Sequence, residues 1–296
     1  MLKNGTALDN LLNPIPESLP WPLWANGYNK KYWIGFILKA IIKGDVGLKL
    51  NSKKIVVVFN NFSSNYFHWI TEVLPKIMYL KHLDKNFCFL FPDTYKQDYQ
   101  KATLKIMDVN VAYLSKSLIY FKDFILFSGF AEYPGYYEPE SLFSVRSLLI
   151  KNYFKAKATF DFVYVSRNKA ARRKVLNEDE IQVILLRYNF KIFYFEELSF
   201  FEIAEISRKA KVLVSIHGAA LTNMIFMEKG STIFELKKQN VIEDKCYFFL
   251  ANTLEMKYYY QTCKSKNEED SHIFADIYVD VELFEKNIEL IMSTFN

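Results

Sequence analysis

The chain has 296 residues, of which 51% are hydrophobic and 24% are charged. A chain of this size and composition is neither a small disulfide-stabilised scaffold nor a disordered segment, and it has room for one large domain or two ordinary ones. The formal net charge of +5 is a mild excess spread along the chain, which argues against a nucleic-acid partner but leaves room for a local anion site.

The first predicted element is an apolar run over residues 33–42. It is interrupted by Lys39 and is much shorter than the roughly 20 apolar residues that cross a bilayer, so we predict no transmembrane helix. Prolines crowd residues 13–22 before it, which argues against a cleaved signal peptide. A buried core helix is the preferred interpretation of the run. A helix resting on a membrane surface is the alternative, because lysines flank it.

Strands and helices alternate through the first half of the chain. The predicted elements are a strand over residues 54–59, a helix over 65–83, a strand over 87–91, a helix over 94–107 and a helix over 139–153. Residues 129–138 are rich in Gly, Pro and Tyr and are expected to be irregular. This alternation indicates an α/β domain over residues 1–154.

The second half has a more regular rhythm. The predicted strands cover residues 162–166, 191–195, 212–216 and 232–236. In chain order, the predicted helices are one that begins at Asn177, one over 200–211, a short one that ends at Met227, one over 243–254 and one over 281–295. Capping-box residues precede the first two helices. The pattern predicts a parallel sheet with crossover helices, a Rossmann-like domain over residues 155–296. The last helix carries an apolar stripe, and we expect it to pack back on the first domain.

A histidine and a glutamate share one face of the helix predicted over residues 65–83. His68 and Glu72 are four residues apart, so the carboxylate can fix the tautomer of the imidazole and raise its basicity, which suits a general base. The alternative interpretation is a surface pair worth a few tenths of a kcal/mol. Trp69 is a candidate for the core face of this helix, and Pro75 is expected to bend or restart it.

Three arginines follow the first strand of the second half. Arg167 lies just past the predicted strand end, and Arg172 and Arg173 precede the next helix. Guanidinium groups at the carboxyl edge of a parallel sheet can hold a diphosphate through bidentate, charge-assisted bonds. The alternative interpretation is a solvated basic loop.

Another candidate segment joins a strand to a helix through the residues HGAA. His217 lies at this junction, and the small Gly218 and Ala219 would let a phosphate approach the backbone N–H groups at the helix start. Asn223 lies one turn into that helix. Glu235 ends the next strand, where a carboxylate can accept hydrogen bonds from ribose hydroxyls. A buried histidine without a chemical role is the alternative for His217.

Several familiar site motifs are missing from the sequence. There is no G-x-G-x-x-G after a strand, no G-x-x-x-x-G-K-[ST], no H-E-x-x-H and no cluster of Cys and His. There is also no D-x-D pair to hold a divalent ion between phosphates. Charge neutralisation would therefore fall to the arginines and the helix start, and we expect no metal and no cofactor. The three cysteines have neither metal-ligand nor disulfide-framework spacing and favour a reducing compartment.

Three segments, in this order, resemble glycosyltransferase family 61. They are NYFHWITEVLPKI (65–77), YVSRNKAARRKVLNEDEI (164–181) and LSFFEIAEISRKAKVLVSIHGAALTNMIFMEKGSTIFEL (198–236). The resemblance implies an α/β, GT-B-like fold, in which two Rossmann-like domains face a cleft, and inversion at the anomeric carbon without a metal ion. It places donor recognition on the arginines, the HGAA segment, Asn223 and Glu235. It places acceptor chemistry on His68 and Glu72, with Asn65 and Trp69 on the acceptor side.

The expected function is the transfer of a sugar from a nucleotide-diphosphate sugar to a hydroxyl group of a bacterial surface glycan such as capsule, O-antigen or lipooligosaccharide. The expected donor is a uridine-diphosphate sugar. Animal and plant members of the family carry an amino-terminal membrane anchor. Its absence here leads us to expect a bacterial, cytoplasmic enzyme with peripheral contact at the inner membrane face. The alternatives are a non-catalytic nucleotide- or glycan-binding module of the same fold and another Rossmann-type transferase, such as a methyltransferase.

Overall fold

The computed structural model describes residues 1–3, 6–9, 13–18, 30–49, 54–121, 123–129, 137–153, 160–241, 245–271 and 274–295. The chain divides into two compact units, Met1–Leu149 and Ile150–Asn296. The predicted boundary between residues 154 and 155 falls outside the described residues, as do residues 130–136 of the segment expected to be irregular.

The first unit combines helices with short strands. Its elements are the 3-10 helix Pro16–Ser18, α1 (Lys30–Ile42), β1 (Val46–Lys49), β2 (Ile55–Val57), α2 (Tyr66–His68), the π-helix Trp69–Val73, α3 (Leu74–Leu83), β3 (Cys88–Pro92), α4 (Asp98–Met107), β4 (Asn110–Leu114), β5 (Leu118–Phe121), β6 (Ile125–Leu126) and α5 (Pro139–Tyr153). The predicted strands and helices of this half are confirmed, and α5 has the predicted bounds. The strands β1, β4, β5 and β6 were not predicted.

A parallel sheet in the order β4-β3-β2-β6 lies at the centre of the first unit. The strands β3 and β4 lie on one side of β2 and β6 lies on the other, so the strand order reverses between β2 and β6. Open parallel sheets bind ligands outside the carboxyl ends of their strands at such a reversal. Strand β3 is buried over its whole length, as expected for a parallel sheet that is covered on both faces.

The helix that follows β2 contains a wide turn. In the π-helix between α2 and α3, the N–H of Leu74 donates to the carbonyl of Trp69, five residues back. Pro75 has no N–H, and in a regular α-helix its ring would clash with the carbonyl four residues before it. The wider turn relieves this clash. The predicted restart of the helix at Pro75 is therefore confirmed, and the π-helix is the form that it takes.

Helix α1 has an apolar outer face. Ile37 on its inner face packs with Leu2 in a small core cluster. The exposed fractions of the large apolar side chains on the outer face range from 37% to 83%, and these residues are Ile34, Leu38, Ile41 and Ile42. The prediction of a buried core helix therefore holds for one face only. In the described part of the chain, no helix is both long and apolar enough to cross a membrane.

The second unit contains a larger sheet. Its elements are β7 (Phe162–Val165), α6 (Glu178–Arg187), β8 (Lys191–Phe193), the 3-10 helix Phe195–Glu197, α7 (Phe200–Lys209), β9 (Val212–Ile216), the 3-10 helix Ala219–Phe226, β10 (Thr232–Lys238), α8 (Cys246–Thr253), β11 (Lys257–Ser265), β12 (Ile277–Tyr278), α9 (Val281–Met292) and the 3-10 helix Ser293–Phe295. The predicted elements are confirmed, and the short helix after HGAA is a 3-10 helix. The strands β11 and β12 were not predicted.

These strands form a six-stranded sheet in the order β12-β11-β10-β9-β7-β8. All neighbouring pairs are parallel except β11 with β12. The first strand, β7, has β8 on one side and β9 on the other, so the order reverses between β7 and β9. This is the reversal of flavodoxin-like sheets, and it marks the expected ligand edge of the Rossmann-like second unit.

The last helix packs inside the second unit. Phe284, Ile288 and Ile291 of α9 are fully buried in the same core cluster as Phe234 of β10. The rings of Phe284 and Phe234 are stacked with centroids 5.7 Å apart, and α9 also contacts α6. The helix belongs to the second unit, and its packing against the first domain stays a prediction. A parallel sheet needs cover on both faces, and α9 completes the cover on the face that α6 leaves partly open.

Candidate active site

Predicted site residues lie at the strand-order reversal of each unit. In the second unit, Arg167 follows the end of β7 and His217 follows the end of β9, and these two strands are neighbours. In the first unit, the loop after β2 leads to His68 at the end of α2. Both histidines are therefore close to the edge where open parallel sheets bind their ligands.

A buried carboxylate anchors the loop that carries Arg167. Glu178, at the start of α6, accepts hydrogen bonds from the Tyr164 hydroxyl at 2.6 Å and from Ser166 Oγ at 2.9 Å. Burial, reinforced by the charge of Glu178, raises the pKa of Tyr164 well above its usual range, so Tyr164 remains a hydrogen-bond donor. These bonds fix the end of β7 and hence the position of Arg167.

One N–H group of Arg167 is buried and makes no hydrogen bond within the described residues. Its Nη1 lies 3.5 Å from Glu196 Oε1, and its Nη2 donates to the carbonyl of Arg172 at 3.4 Å. Its Nε is buried and has no hydrogen-bond partner in the part of the chain that the structure describes. A buried donor without a partner costs about 1–3 kcal/mol.

Of the two arginines that follow, Arg173 reaches the HGAA segment and Arg172 does not. Arg173 Nη1 donates to the carbonyl of His217 at 3.3 Å. A Cβ atom on Gly218 would lie 3.4 Å from this Nη1, an ordinary van der Waals contact, so the guanidinium lies beside Gly218 as well. Arg172 is exposed, and its guanidinium lies 4.6 Å from the centroid of the Phe274 ring. Arg173 is therefore the better candidate for donor contact.

The backbone of Arg173 adopts an uncommon conformation. Its φ of 58° lies in the left-handed region, which costs a residue with a side chain roughly 1–2 kcal/mol. The next residue, Lys174, is tied to the segment leading into β12: its N–H donates to Asp276 Oδ1 at 2.8 Å, and its carbonyl accepts from the N–H of Ile277 at 2.9 Å. These bonds hold the strained loop that brings the guanidinium to His217.

A buried carboxylate orients His217. Nδ1 of His217 contacts Glu235 Oε1, and the Tyr258 hydroxyl donates to Glu235 Oε2. Glu235 is only 1% exposed. The predicted contact of Glu235 with a ribose hydroxyl stays a prediction. Its contact with Nδ1 fixes the tautomer of His217.

Tyr247, which the sequence analysis did not single out, packs against the imidazole of His217. The two rings meet edge to face with centroids 5.0 Å apart. Burial raises the pKa of Tyr247 well above its usual range; the neighbouring Cys246 and Glu235 add to the rise, and Arg173 opposes it. The Tyr247 hydroxyl therefore stays neutral, and its ring packs as an uncharged aromatic group against the histidine. Tyr247 lies in a predicted helix, but its distance in sequence from His217 gave no indication that the two rings would be in contact.

The 3-10 helix after His217 begins at the same edge. Gly218 has a φ of 164°, an extended conformation that any residue can adopt. Ala219 is partly exposed. Asn223 is 2% exposed, and its Nδ2 donates to the carbonyl of Ala220 at 2.9 Å. Asn223 therefore braces the helix, and its contact with a donor substrate stays a prediction.

The positive charge at this edge comes from side chains. Lys237 lines the same small cavity as Arg173 and His217. Among the residues described, no group of three or more His, Cys, Asp or Glu side chains is placed to hold a metal ion. Guanidinium groups beside a helix start can bind a diphosphate through N–H donors and positive charge.

In the first unit, His68 and Glu72 form the predicted pair. His68 Nδ1 lies 2.6 Å from Glu72 Oε1. Glu72 is only 7% exposed, and the His68 ring stacks on the Phe62 ring with centroids 5.4 Å apart. The pair is therefore not a solvated surface pair. The carboxylate fixes the histidine tautomer and leaves Nε2 as the nitrogen that can accept a proton.

A buried lysine lies one turn beyond Glu72 on the same helical segment. Lys76 is 6% exposed. Burial lowers the pKa of Lys76, and the negative charge of Glu72 partly offsets this effect. Lys76 is not among the predicted site residues, although its spacing of four residues from Glu72, and of eight from His68, is the signal that could have identified it.

The two residues expected on the acceptor side have structural roles. The Asn65 side chain caps α2 by accepting a hydrogen bond from the N–H of Phe67 at 2.9 Å. Trp69 is completely buried; its indole N–H donates to Thr103 Oγ1 at 2.9 Å, and its ring packs on Phe91. Trp69 is therefore a core residue and, contrary to the prediction, is not open to an acceptor.

The family model named Glycosyltransferase 61 matches residues 66–234, which is more than half of the chain. The chain belongs to glycosyltransferase family 61. The family 61 match runs from the start of α2 into β10 and so includes the pair His68 and Glu72, the three arginines and His217. It ends one residue before Glu235, so Tyr247 and Tyr258 belong to a part of the chain beyond it.

Curated relatives match over shorter segments. The chain is 35% identical over 98 residues to the EGF domain-specific O-linked N-acetylglucosamine transferase of Drosophila melanogaster, a match that covers 32% of this chain and 18% of the relative. The corresponding transferases of Gallus gallus and Mus musculus are each 30% identical over 91 residues, which cover 29% of this chain and 17% of the relative. The matched segments thus span less than a fifth of each relative.

Proposed function

We propose that this family 61 protein transfers a sugar from a nucleotide-diphosphate sugar to a hydroxyl group of a glycan, with inversion at the anomeric carbon and without a metal ion. The contact of Arg173 with the backbone of His217 and Gly218 carries the proposal. It creates a cationic site beside a helix start, at the edge where parallel sheets bind phosphate groups. Membership of family 61 supports glycosyl transfer as the reaction.

On the donor side, the main task is to stabilise the departing diphosphate. Negative charge grows on its oxygens as the bond to the sugar breaks, and preorganised donors lower the barrier most where this charge develops. Arg167 and Arg173 would donate to these oxygens, and the N–H groups at the start of the 3-10 helix would add partial positive charge.

On the acceptor side, His68 is the proposed base and Glu72 is its orienting partner. Glu72 is buried, and its carboxylate already contacts Nδ1, whereas Nε2 of His68 is the nitrogen left to accept a proton. The acceptor hydroxyl would pass its proton to Nε2 while its oxygen attacks the anomeric carbon opposite the diphosphate. One carbon–oxygen bond forms as the other breaks, so the configuration inverts.

This mechanism requires the base and the donor site to face each other. We therefore propose the GT-B arrangement, with the two units on opposite sides of a cleft. A crystal structure with bound UDP tests this arrangement directly. A nucleotide bound at Arg173 with no acceptor path to His68 would overturn it.

The relatives suggest which sugar to test first. The Drosophila melanogaster relative is named as an O-linked N-acetylglucosamine transferase specific for EGF domains. The match spans only 18% of that relative, so its acceptor does not carry over to this chain. We propose a uridine-diphosphate sugar as donor, with UDP-N-acetylglucosamine first in the screen, and a bacterial surface glycan such as capsule, O-antigen or lipooligosaccharide as acceptor.

We also propose that the protein works in the cytoplasm and that α1 contacts the inner face of the membrane. Its exposed residues Leu38 and Ile42 could enter the interface, and Lys39 and Lys43 could pair with anionic lipid headgroups. Sedimentation with anionic vesicles is the test, with neutral vesicles as control. Serine at Leu38 and Ile42 should reduce pelleting, and a lack of salt-sensitive binding counts against this contact.

A nucleotide-release assay over a panel of nucleotide sugars tests the reaction itself. Release that depends on an acceptor supports transfer, whereas donor binding without release supports the non-catalytic module. In thermal-shift profiling, stabilisation by UDP is expected, and stabilisation by S-adenosylmethionine would favour a methyltransferase. Arg167→Ala should lower turnover about 10²- to 10³-fold. Near-normal turnover of this variant would refute its role at the diphosphate.

A further inference from the structure

His68, the proposed base, needs a fixed ring plane as well as a fixed tautomer. The contact of 2.6 Å between its Nδ1 and Glu72 Oε1 determines which ring nitrogen carries the proton. A single hydrogen bond tolerates a range of angles, so the ring could still tilt and move Nε2 away from an acceptor hydroxyl. A catalytic group must be held within about 0.5 Å of its productive position. The plane of the imidazole therefore has to be held by further contacts.

Two aromatic rings contact the imidazole of His68. The Phe62 ring lies over its face, with centroids 5.4 Å apart and an angle of 24° between the two planes. The Phe67 ring meets it edge to face, with centroids 5.1 Å apart and an angle of 82°. Phe67 is only 5% exposed and belongs to the core, whereas Phe62 is 41% exposed. Phe62 is therefore the ring that can be replaced without opening the core.

The backbone of Phe62 is fixed by a turn that continues into the helix of His68. Asn60 Oδ1 accepts a hydrogen bond from the N–H of Phe62 at 2.9 Å, and the N–H of Asn60 donates to Ser63 Oγ at 2.9 Å. The carbonyl of Phe62 accepts from the N–H of Asn65 at 2.9 Å, and the Asn65 side chain caps α2. The turn and the helix are thus tied together, so Phe62 keeps its position relative to His68.

Stacking and exposure alone do not mark a functional ring. Tyr79, on α3 of the same unit, is also 41% exposed, and its ring stacks on the Phe127 ring with centroids 5.6 Å apart and an angle of 24°. Single exposed aromatic residues are normal on protein surfaces. Phe62 differs because the ring that it covers is the imidazole of the proposed base. The family 61 match begins at residue 66, so Phe62 lies outside it.

We propose that Phe62 is a positioning residue that holds the plane of the His68 imidazole. Glu72 fixes the tautomer, the Phe62 face fixes the tilt, and Nε2 keeps its direction toward the acceptor hydroxyl. The assignment of His68 as base rests on the proposed glycosyl transfer, but the restraint of its ring by Phe62 does not. The two can therefore be tested separately.

NMR relaxation of the histidine rings in the full chain tests the restraint without any substrate. The chain has four histidines, and the resonances of His68 are assigned by their loss in His68→Gln. The order parameter of the His68 Cε1–H bond is expected to fall from about 0.85, typical of a rigid group, to below about 0.6 in Phe62→Ala. Phe62→Tyr keeps an aromatic face and should restore the wild-type value.

Tyr79→Ala is the matched control, because it removes an equally exposed and similarly stacked ring of the same unit. It should leave the His68 order parameter unchanged. An unchanged order parameter in Phe62→Ala would overturn the proposal. Equal loosening of His68 in Tyr79→Ala, or loosening of all the histidines in Phe62→Ala, would overturn it as well, since either result indicates a general loss of stability.

Transfer kinetics test the consequence for the reaction. With a donor and acceptor pair from the nucleotide-release assay, Phe62→Ala should lower kcat roughly 10- to 10²-fold through misplacement of the base. The KM values for donor and acceptor should stay close to wild type, and Phe62→Tyr should recover kcat. A raised acceptor KM with unchanged kcat would make Phe62 an acceptor contact and overturn its positioning role. If no donor supports transfer, the proposed function fails, and the order parameters still decide whether Phe62 restrains His68.

Discussion

The carboxylate of Glu235 contacts Nδ1 of His217 across two adjacent parallel strands, although the residues are 18 positions apart in the chain. The same atom types meet in the first unit, where Glu72 Oε1 lies 2.6 Å from His68 Nδ1 within one helical segment. Both carboxylates are nearly inaccessible to solvent. Each carboxylate therefore fixes the tautomer and the orientation of its histidine.

We predict that Glu235→Gln lowers turnover more than it lowers UDP affinity. A neutral amide holds His217 less well, and the carbonyl of His217 accepts a hydrogen bond from Arg173; loss of one preorganised donor to a developing anion typically costs about 10²- to 10³-fold. We therefore expect kcat to fall by about this factor. Tyr258→Phe is the control, because it keeps the carboxylate on Nδ1 and should have a smaller effect. Equal loss of kcat in both variants would show that the hydroxyl, and not the charge, orients the ring.

Adjacent arginines allow a second, closely matched comparison. Arg173 contacts the HGAA backbone, whereas Arg172 lies over Phe274. We expect Arg173→Ala to lower turnover about 10²- to 10³-fold, the usual loss for one preorganised donor to a developing anion, and to weaken UDP binding. Arg172→Ala should keep activity close to wild type. If transfer rates and UDP titrations show the two variants equally impaired, the loop acts as a diffuse basic surface.

The pair in the first unit should affect transfer but not donor binding. We expect His68→Ala to abolish measurable transfer and Glu72→Gln to lower it by about 10²-fold or more, because the first removes the proposed base and the second removes its orienting charge. Both variants should retain the UDP affinity of wild type in calorimetric titrations. Joint loss of transfer and UDP affinity would assign the pair to folding or to the donor site.

Features with a local cause could be predicted from the sequence. Ser199 and Glu202 form the expected capping box of α7, because both partners lie within one turn. Strand β9 has the predicted bounds, since an apolar run ends at a polar junction. By contrast, β11 pairs with β10 over seven register positions, and its sequence KYYYQTCKS gave no strand prediction, because its pairing depends on a neighbouring strand.

The candidate site also contains features that could be predicted from the sequence and features that could not. His68 and Glu72 could be paired from their spacing alone. The choice between Arg172 and Arg173 could not be made from sequence, because it depends on the left-handed backbone of Arg173 and on the bonds that tie its loop to the segment before β12. Tyr258 reaches Glu235 from a strand that the sequence did not reveal. Contacts between distant elements thus decide which predicted residues are open to a ligand.

Lys76 provides a prediction about stability. Burial lowers its pKa from the ordinary lysine value of 10.5, with Glu72 acting in the opposite direction. Between the lowered pKa and 10.5, the unfolded chain binds more protons than the folded chain. The free energy of unfolding therefore rises with pH in this window. Below the window, the folded protein carries the full penalty of a buried ammonium group.

We expect Lys76→Met to unfold at a higher urea concentration than wild type at neutral pH, because methionine fills the site without a charge. The difference in unfolding free energy should shrink as the pH rises toward 10.5, since wild-type Lys76 then becomes neutral as well. Lys81→Met, at a partly exposed position of the same helix, controls for the other groups that titrate in this range. A Lys76→Met variant that is less stable than wild type at neutral pH would show that the charge of Lys76 is needed to hold Glu72.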